Sequence, residues 1–298
     1  MVVAIKKEDK EILYKLIREH EDVLGSSRIA MLALRAFIQS IKELKCIDSD
    51  IKDLFTELSE TIKSTEPRIV PLIHLIKAFE MEMQNHFDGD SEEVKKHAIR
   101  ILTEKHDHLK KNVGKVIEHG LGYVNEGDVI IVHTASYDVT NMLVLAKDVF
   151  QKNFKVLILK QDFVKTKQLI SALSKANIEL LIIPEYSLSH YIEKANKLFI
   201  GAVSITHDMK IISAIGTANI VSLCHLNKIP VYLFANSLKF SYHPTSSQKI
   251  HMKEEVKTHD NISYILTTHS HDMVDLKFID YLITEDGEID KTSIKKYL

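Results

Sequence analysis

Two short segments of the sequence have the residue types that bind an anion. In residues 25–28, a glycine and two serines precede a helical pattern, and the fixed cation of Arg28 follows them. In IGTAN, Gly216 and Thr217 stand where a second helix is predicted to begin. Backbone N–H groups and hydroxyls at a helix N-terminus can bind a phosphate or a carboxylate. Helix capping alone, by the two serines and by Thr217 as an N-cap, also explains both segments, and it is the interpretation that the residues by themselves favour.

Several other chemistries lack their motifs. The segment HTASYD after the first predicted strand has no glycine with which to approach a pyrophosphate, so NAD or FAD is not expected. The sequence contains no GxSxG elbow, P-loop or HExxH motif. HSHD at residues 269–272 has no companion ligand at metal-site spacing, so we expect solvated loop histidines there. The sequence therefore predicts no cofactor and no metal.

The composition is that of a globular protein. The 298 residues are 45% hydrophobic and 27% charged, with a formal net charge of −2, so two domains are expected and no direct nucleic-acid or membrane partner is indicated. Cys46 and Cys224 lie far apart in sequence and are predicted to be buried thiols in a reducing compartment. No apolar run approaches the ~18 residues of a membrane span, and we expect a cytoplasmic protein.

The first part of the chain, from residue 8 to about 122, has helical periodicity. A first helix is predicted to end at Gly25, and Ser26 and Ser27 cap a second. A third follows Asp50, and Pro67 and Pro71 open a fourth. A long fifth helix is capped by Asp90 or Ser91 and is closed by the glycines at 120 and 122. We predict a helical domain over residues 1–122.

After residue 127 the pattern changes to short β-rich runs separated by helical segments. The runs are DVIIVH, KVLIL, ELLIIP, KLFIGA, PVYLFA and DYLIT. Runs that are apolar on both faces are typical of a parallel sheet covered by helices on both sides. We therefore predict an α/β fold, with a Rossmann-like domain of mostly parallel sheet over residues 123–298. Residues 240–262 are polar and weakly periodic, and we expect a long loop there.

One set of motifs extends over nearly the whole chain. The most specific is GAVSITHDMKIISAIGTANIVSLCHLNKIPVYLFAN at residues 201–236, followed by LKF at 238–240. VIIVHTAS, GSSRIA, STEPRI and YLITEDG support it. In these segments the chain resembles the alpha/beta/delta-subunit family of translation initiation factor 2B, which is related to methylthioribose-1-phosphate and ribose-1,5-bisphosphate isomerases. Which subunit type it resembles most is left open by the sequence.

The resemblance breaks at the positions that carry the isomerase chemistry. In the isomerases a cysteine follows the histidine of the first-strand motif, and an aspartate stands third in the Gly-Ala motif. Here those positions hold Thr134 and Val203, and the family's Asn-Lys before Ile-Gly-Thr is replaced by Ser213 and Ala214. A threonine hydroxyl is a very weak acid and valine cannot exchange a proton. The resemblance therefore implies a non-catalytic regulatory subunit of a guanine nucleotide exchange complex for initiation factor 2.

Two alternatives stay open. One is an isomerase with altered catalytic residues, using His207 or Asp208. The other is a free-standing sensor of a sugar phosphate or nucleotide monophosphate. The resemblance also implies a homodimer or a place in a larger hetero-oligomer, with initiation factor 2 and a phosphorylated small molecule as partners. The predicted ligand-binding residues are Gly25, Ser26, Ser27, Arg28, Arg68, His133, Thr134, Ser136, Gly201, Ser213, Gly216 and Thr217.

Overall fold

A computed structural model describes most of the chain. The described residues are 24–43, 51–64, 69–87, 89–133, 135–160, 163–248, 250, 252–260 and 262–297. The first predicted helix, Pro67 and Cys46 lie outside them. The helices of the first part are α1 (Ser26–Glu43), α2 (Ile51–Lys63), α3 (Val70–Met83) and α4 (Ser91–Gly120). They agree with the periodicity of the sequence, and Pro71 lies in the first turn of α3, as predicted.

The longest helix, α4, begins at the predicted cap. Asp90 Oδ1 accepts hydrogen bonds from the backbone N–H groups of Glu92 (2.9 Å) and Glu93 (3.0 Å). Two acidic side chains then lie in the first turn, where they complement the positive end of the helix dipole. The apolar faces of α1 to α4 form one core, in which Phe55 and Phe79 are among the largest fully buried side chains. This core fixes the position of the N-terminus of α1.

The second part of the chain forms a seven-stranded sheet with helices between its strands. Its strands are β1 (Val129–Val132), β2 (Lys155–Lys160), β3 (Glu179–Pro184), β4 (Lys197–Gly201), β7 (Val231–Phe234), β12 (Tyr281–Thr284) and β13 (Gly287–Ile289). The order is β13-β12-β7-β4-β1-β2-β3, and every pairing is parallel except that of β13. All six predicted strands are therefore confirmed in a mostly parallel sheet. The intervening helices are α5 (Tyr137–Asp148), α6 (Phe163–Lys175) and α7 (Thr217–Leu226).

Apolar side chains cover both faces of this sheet. One cluster includes Val221 and Cys224 of α7, and the other includes Met142 of α5 together with Val116 near the end of α4. The strand order reverses between the neighbours β1 and β4, because β2 and β3 lie on one side of β1 and β4 lies on the other. In doubly wound sheets the carboxyl ends of two such strands leave a crevice between them. That crevice is where the sheet and the helical part meet.

The prediction of a long loop over residues 240–262 is wrong. The segment contains β8 (Phe240–Ser241), a short 3₁₀ turn (Thr245–Ser247), all of β9 (Met252–His259) and the start of β10 (Ile262–His269). The pattern missed β9 and β10 because almost every side chain described in them is exposed, so no apolar face marks these strands.

A smaller sheet of four strands includes β8. Its other strands are β5 (Ser204–Thr206), β6 (Lys210–Ala214) and β11 (His271–Asp275). The order in this sheet is β11-β6-β5-β8. It contains the segment that follows Gly201 in the most specific sequence motif.

Two smaller expectations also change. His271 is buried at the start of β11, with Nδ1 2.8 Å from Ser270 Oγ, rather than in a solvated loop. Gly216 rather than Thr217 is the N-cap of α7. Within the described ranges no helix has the length and apolarity that crossing a membrane requires.

Candidate functional site

A small cavity lies beyond the carboxyl ends of β1 and β4, under the N-terminus of α1. Its lining residues are Gly25, Ser26, Ser27, Ala135, Ser136, Tyr137, Gly201, Ala202, Val203, Ser213, Ala214 and Lys239. Half of them were predicted as ligand-binding residues from the sequence. The cavity has a volume of about 40 Å³. Since one water needs roughly 10–15 Å³ measured in this way, the cavity has room for about three waters in this conformation.

Close backbone packing forms the floor of the cavity. Ser136 is the N-cap of α5 and its hydroxyl accepts a hydrogen bond from the Val139 N–H at 3.4 Å. The end of β4 lies directly against it: a Cβ added to Gly201 would come within 2.8 Å of Ser136 Cβ. Only a residue without a side chain fits there. The glycine at the end of β4 therefore lets the segments after β1 and β4 approach each other.

The first turn of α1 forms the roof. Ser26 Oγ donates a hydrogen bond to Ala202 O (3.3 Å), and Asn236 Nδ2 donates one to Ser27 Oγ (3.4 Å). Both serines are buried, so they tie α1 to the sheet as well as lining the cavity. Arg28 is exposed, and its guanidinium carbon lies 5.9 Å from the centre of the Tyr137 ring. Arg28 therefore does not line the cavity itself, but its cation lies over the ring of Tyr137, which does.

Lys239, which lines the cavity, is paired with a buried acid. Lys239 Nζ lies 3.4 Å from Asp138 Oδ2, and both side chains are buried. Burial raises the pKa of Asp138 above its usual value, against the opposing effects of the Lys239 ammonium and a hydrogen bond from Ser27. Within the described part of the chain, Asp138 Oδ1 and Asn236 Oδ1 are buried and accept no hydrogen bond. Asp138 neutralises the charge of Lys239. Asp138 Oδ1 and Asn236 Oδ1 remain as hydrogen-bond acceptors nearby.

A second layer of polar residues supports the cavity wall. Ser213 Oγ donates to Gly201 O at 3.0 Å. Thr217 Oγ1 lies 3.3 Å from Ser213 Oγ and 3.4 Å from His133 Nδ1. On its other side, His133 Nε2 lies 3.1 Å from Glu185 Oε2, and the histidine side chain is fully buried. His133 and Thr217 therefore lie behind the lining residues and orient them.

Carboxylates surround the predicted anion site at Gly216 and Thr217. Gly216 has φ +92°, a conformation that favours glycine, and a Cβ there would meet the Glu185 carboxylate, whose carbon would lie at 2.7 Å. The backbone N–H of Ala218 donates to Asp272 Oδ2 at 3.0 Å. Two carboxylates thus stabilise the positive end of α7. They repel a phosphate there.

The resemblance compares Val203 with an aspartate of the isomerases. Val203 lines the cavity and is 5% exposed, so the side chain at that position is a buried hydrocarbon. Thr134 and Arg68 lie outside the described residues. His207 and Asp208 lie in the turn between β5 and β6, where Asp208 Oδ1 accepts hydrogen bonds from Thr245 N and Oγ1, both at 2.8 Å. This turn is at the other end of the β5–β6 hairpin from Val203.

Asp208 also has a role of its own in that turn. Partial desolvation acts to raise its pKa, but hydrogen bonds with Thr206 and Thr245 outweigh that effect and hold the pKa below its usual value. A carboxyl group that stays ionised and fixed in this way stabilises the turn.

Sequence reasoning missed four charged residues of the site: Asp138, Glu185, Lys239 and Asp272. Lys239 lies within the LKF motif that was noted, but Asp138 is indistinguishable from an ordinary acid in a helix's first turn. Within the described ranges, no group of three or more His, Cys, Asp or Glu side chains is placed to hold a metal ion.

Comparison with known proteins assigns the chain to a family. The sequence model of the initiation factor 2 subunit family matches residues 22–291. The chain belongs to that family. Among its relatives is the putative translation initiation factor eIF-2B subunit 2-like protein of Pyrococcus abyssi, which is 27% identical over 272 residues, 90% of this chain and 91% of the relative.

Enzymes and assembly subunits both occur among the similar proteins. The ribose 1,5-bisphosphate isomerase of Pyrococcus furiosus is 24% identical over 307 aligned positions, covering 97% of this chain and 92% of the enzyme. A chain of the tetrameric eIF2B-beta2-delta2 complex of Chaetomium thermophilum has a TM-score of 0.68 at 14% identity, covering 98% of this chain and 93% of that chain. At that identity the likeness shows the fold alone. The expected fold, a helical part followed by a mostly parallel sheet, is confirmed.

Proposed function

We propose that this chain is a non-catalytic subunit of an assembly of the eIF2B kind, acting in the cytoplasm on initiation factor 2. The observation that carries the proposal is Val203, a buried hydrocarbon side chain in the cavity wall. An aldose-to-ketose rearrangement needs titratable groups beside the reacting carbons. The pairing of Lys239 with Asp138 supports the same conclusion, because the cavity then has no net positive charge from its lysine.

The relatives supply the assembly part of the proposal. A similarly folded chain is part of a hetero-tetramer, and the family contains other proteins named as eIF-2B subunits. We therefore propose that this chain forms a homodimer or joins sister subunits. Its domains would be those predicted from the sequence, residues 1–122 and 123–298.

We further propose that a sugar phosphate or a nucleotide monophosphate, if taken up, places its phosphate at the first turn of α1. Ser26, Ser27 and Arg28 supply hydroxyls and a cation there, whereas the N-terminus of α7 is held by Glu185 and Asp272. The orphan oxygens of Asp138 and Asn236 suit the hydroxyls of a sugar. Because the cavity holds about three waters, such a ligand requires α1 and the sheet to separate.

Two assays test the absence of catalysis. Purified protein is incubated with ribose 1,5-bisphosphate or 5-methylthioribose 1-phosphate, and NMR follows the product, with the Pyrococcus furiosus isomerase as positive control. We expect no turnover. Turnover that survives purification overturns the proposal. If that turnover is then lost in a His207→Ala, Asp208→Ala double variant, the alternative isomerase would be established.

A pull-down tests the assembly. The tagged chain, produced at its natural level in its own cells, should retain sister subunits or initiation factor 2 through mild washing, as identified by mass spectrometry. Recovery of the chain without either would contradict the proposed role.

Thermal shift with the same ligands tests the ligand site. A ligand at 100 times its dissociation constant adds ~2.7 kcal/mol to the free energy of unfolding. The shift should disappear in Arg28→Ala and persist in Lys42→Ala, which removes an exposed cation from the last turn of the same helix. A ligand shift with neither turnover nor protein partners would favour the free-standing sensor.

A further inference from the structure

The hairpin formed by β9 and β10 stands apart from the two larger sheets. Its strands pair antiparallel over eight residues, from Ile262↔His259 to His269↔Met252. All residues of β10 are exposed, and β9 is the one strand with which β10 pairs among the described strands. An isolated two-stranded hairpin is at best marginally stable in water. A hairpin of this length is therefore expected to gain further strands or to pack on another surface.

The two strands of the hairpin differ in charge. β9 (MKEEVKTH) carries four side chains that are charged at neutral pH, whereas β10 (ISYILTTH) carries none. β10 instead exposes a run of large apolar side chains: Ile262, Tyr264, Ile265 and Leu266. Natural proteins protect sheet edges with charged residues, and an uncharged apolar edge strand is a template for pairing with another strand. The β10 edge is therefore the pairing edge of this hairpin.

We propose that β10 pairs antiparallel with β10 of a second copy of this chain, about a twofold axis that passes beside Ile265. In that register Ile265 of one copy lies opposite Ile265 of the other, and Tyr264 lies opposite Leu266. Ser263 then faces Thr267. The two hairpins would form one four-stranded sheet with the charged β9 strands at its outer edges.

A second copy fits this edge because the edge is complementary to itself. A twofold interface brings the same surface of each subunit together. In this register no pair places two charged side chains opposite each other, and the central pairs combine β-branched, leucine and aromatic side chains, which stabilise cross-strand contacts. The inference deepens the proposed assembly and rests on it only for the existence of an oligomer. Isomerase activity and initiation-factor binding are measured separately, so the two can fail independently.

A matched pair of variants tests the proposal. Ile265 and Val256 are directly opposite each other in the hairpin and are exposed to a similar extent, 65% and 74%. Ile265→Lys places a charge on the proposed pairing edge, and Val256→Lys places the same charge on the outer edge. By sedimentation equilibrium, the wild type and Val256→Lys should be dimers of the 34.1 kDa chain. Ile265→Lys should raise the dissociation constant at least about tenfold.

Charge complementation tests the register. Ile265→Lys and Ile265→Glu should each weaken the homodimer. Their mixture should form a heterodimer, because the lysine introduced at position 265 of one variant then faces the glutamate introduced at the same position of the other. Native mass spectrometry resolves the three species when one variant is isotope-labelled. Unchanged circular dichroism of each variant shows that it is folded.

Three results would overturn the proposal. They are a monomeric wild type, a dimer that Ile265→Lys leaves as tight as Val256→Lys does, and a mixture that restores no heterodimer. A monomer that binds a sister subunit through this edge would identify a different partner and would equally reject the second copy.

Discussion

Asp138 and Lys239 carry opposite charges at a place where both side chains are buried, beside the cavity. They lie 101 positions apart in the sequence, so only the folded chain brings them together. Removing a charge from water costs free energy unless an opposite charge lies beside it, so each side chain offsets the desolvation cost of the other. Because of this pairing, Lys239 adds no net positive charge to the cavity.

Removing one partner should be much worse than removing both. Asp138→Asn leaves the Lys239 ammonium buried without a counter-charge, and we expect the free energy of unfolding to fall by about 3 kcal/mol or more. Replacing the pair by Asp138→Leu and Lys239→Met should cost less than the single change, because no buried charge remains. Urea denaturation of the three proteins measures this. A double variant that loses as much stability as Asp138→Asn, or more, would contradict this account of the pair.

Sequence reasoning found the cavity but not its charge balance. Gly25, Ser26, Ser27, Ser136, Gly201 and Ser213 line the cavity as predicted positions, although whether they bind a ligand remains a prediction. Motifs mark such positions because they are local in sequence. The pairing of Lys239 and the contacts of Glu185 and Asp272 with the N-terminus of α7 join distant segments, and single-sequence patterns do not contain that information.

At the scale of elements, α7 shows how a buried thiol makes stability depend on pH. Cys224 is fully buried in the core between α7 and the sheet. Burial raises the pKa of its thiol to about 12, whereas an unfolded thiol ionises near pH ~8.5. The folded chain therefore holds the proton while the unfolded chain releases it. The stabilising contribution is complete below about pH 8.5 and is lost as the pH rises toward the folded pKa.

This dependence can be measured against a variant without the thiol. Between about pH 9 and pH 10.5 the wild type should lose about 2 kcal/mol of stability relative to Cys224→Ala, at about 1.4 kcal/mol per pH unit. Urea denaturation under reducing conditions at several pH values gives the difference, and other titrating groups cancel in it. Parallel pH profiles for the two proteins would mean that the folded thiol ionises as readily as the unfolded one.

The elements themselves were predicted well where they pack on a core. The parallel strands and α1 to α4 have apolar faces, and the period of those faces identifies them. The hairpin of β9 and β10 has no buried face in the single chain, so its sequence resembles a loop. The proposed pairing of two β10 edges would give these apolar residues cross-strand partners that the single chain does not provide.

At the scale of the whole molecule, α4 joins the two predicted domains. Leu109 and Val113 pack in the helical core, and Val116, one turn further on, packs against the sheet. Asn112 Nδ2 donates to Glu285 Oε1 at 2.8 Å. A single rigid helix therefore contributes to two cores, and its end lies within the second of them.

This shared helix should make unfolding cooperative across the chain. Melting of the helical core removes the part of α4 that covers the sheet, so neither core keeps its contacts when the other unfolds. All tyrosines except Tyr14 lie after residue 122, so the near-ultraviolet signal reports the sheet region and the far-ultraviolet signal is dominated by helices. We expect the two transitions to coincide in urea, for the wild type and for an Asn112→Ala variant at a lower midpoint. An earlier far-ultraviolet transition would mean that the helical part unfolds by itself, with the predicted boundary near residue 122 acting as a true division between independent domains.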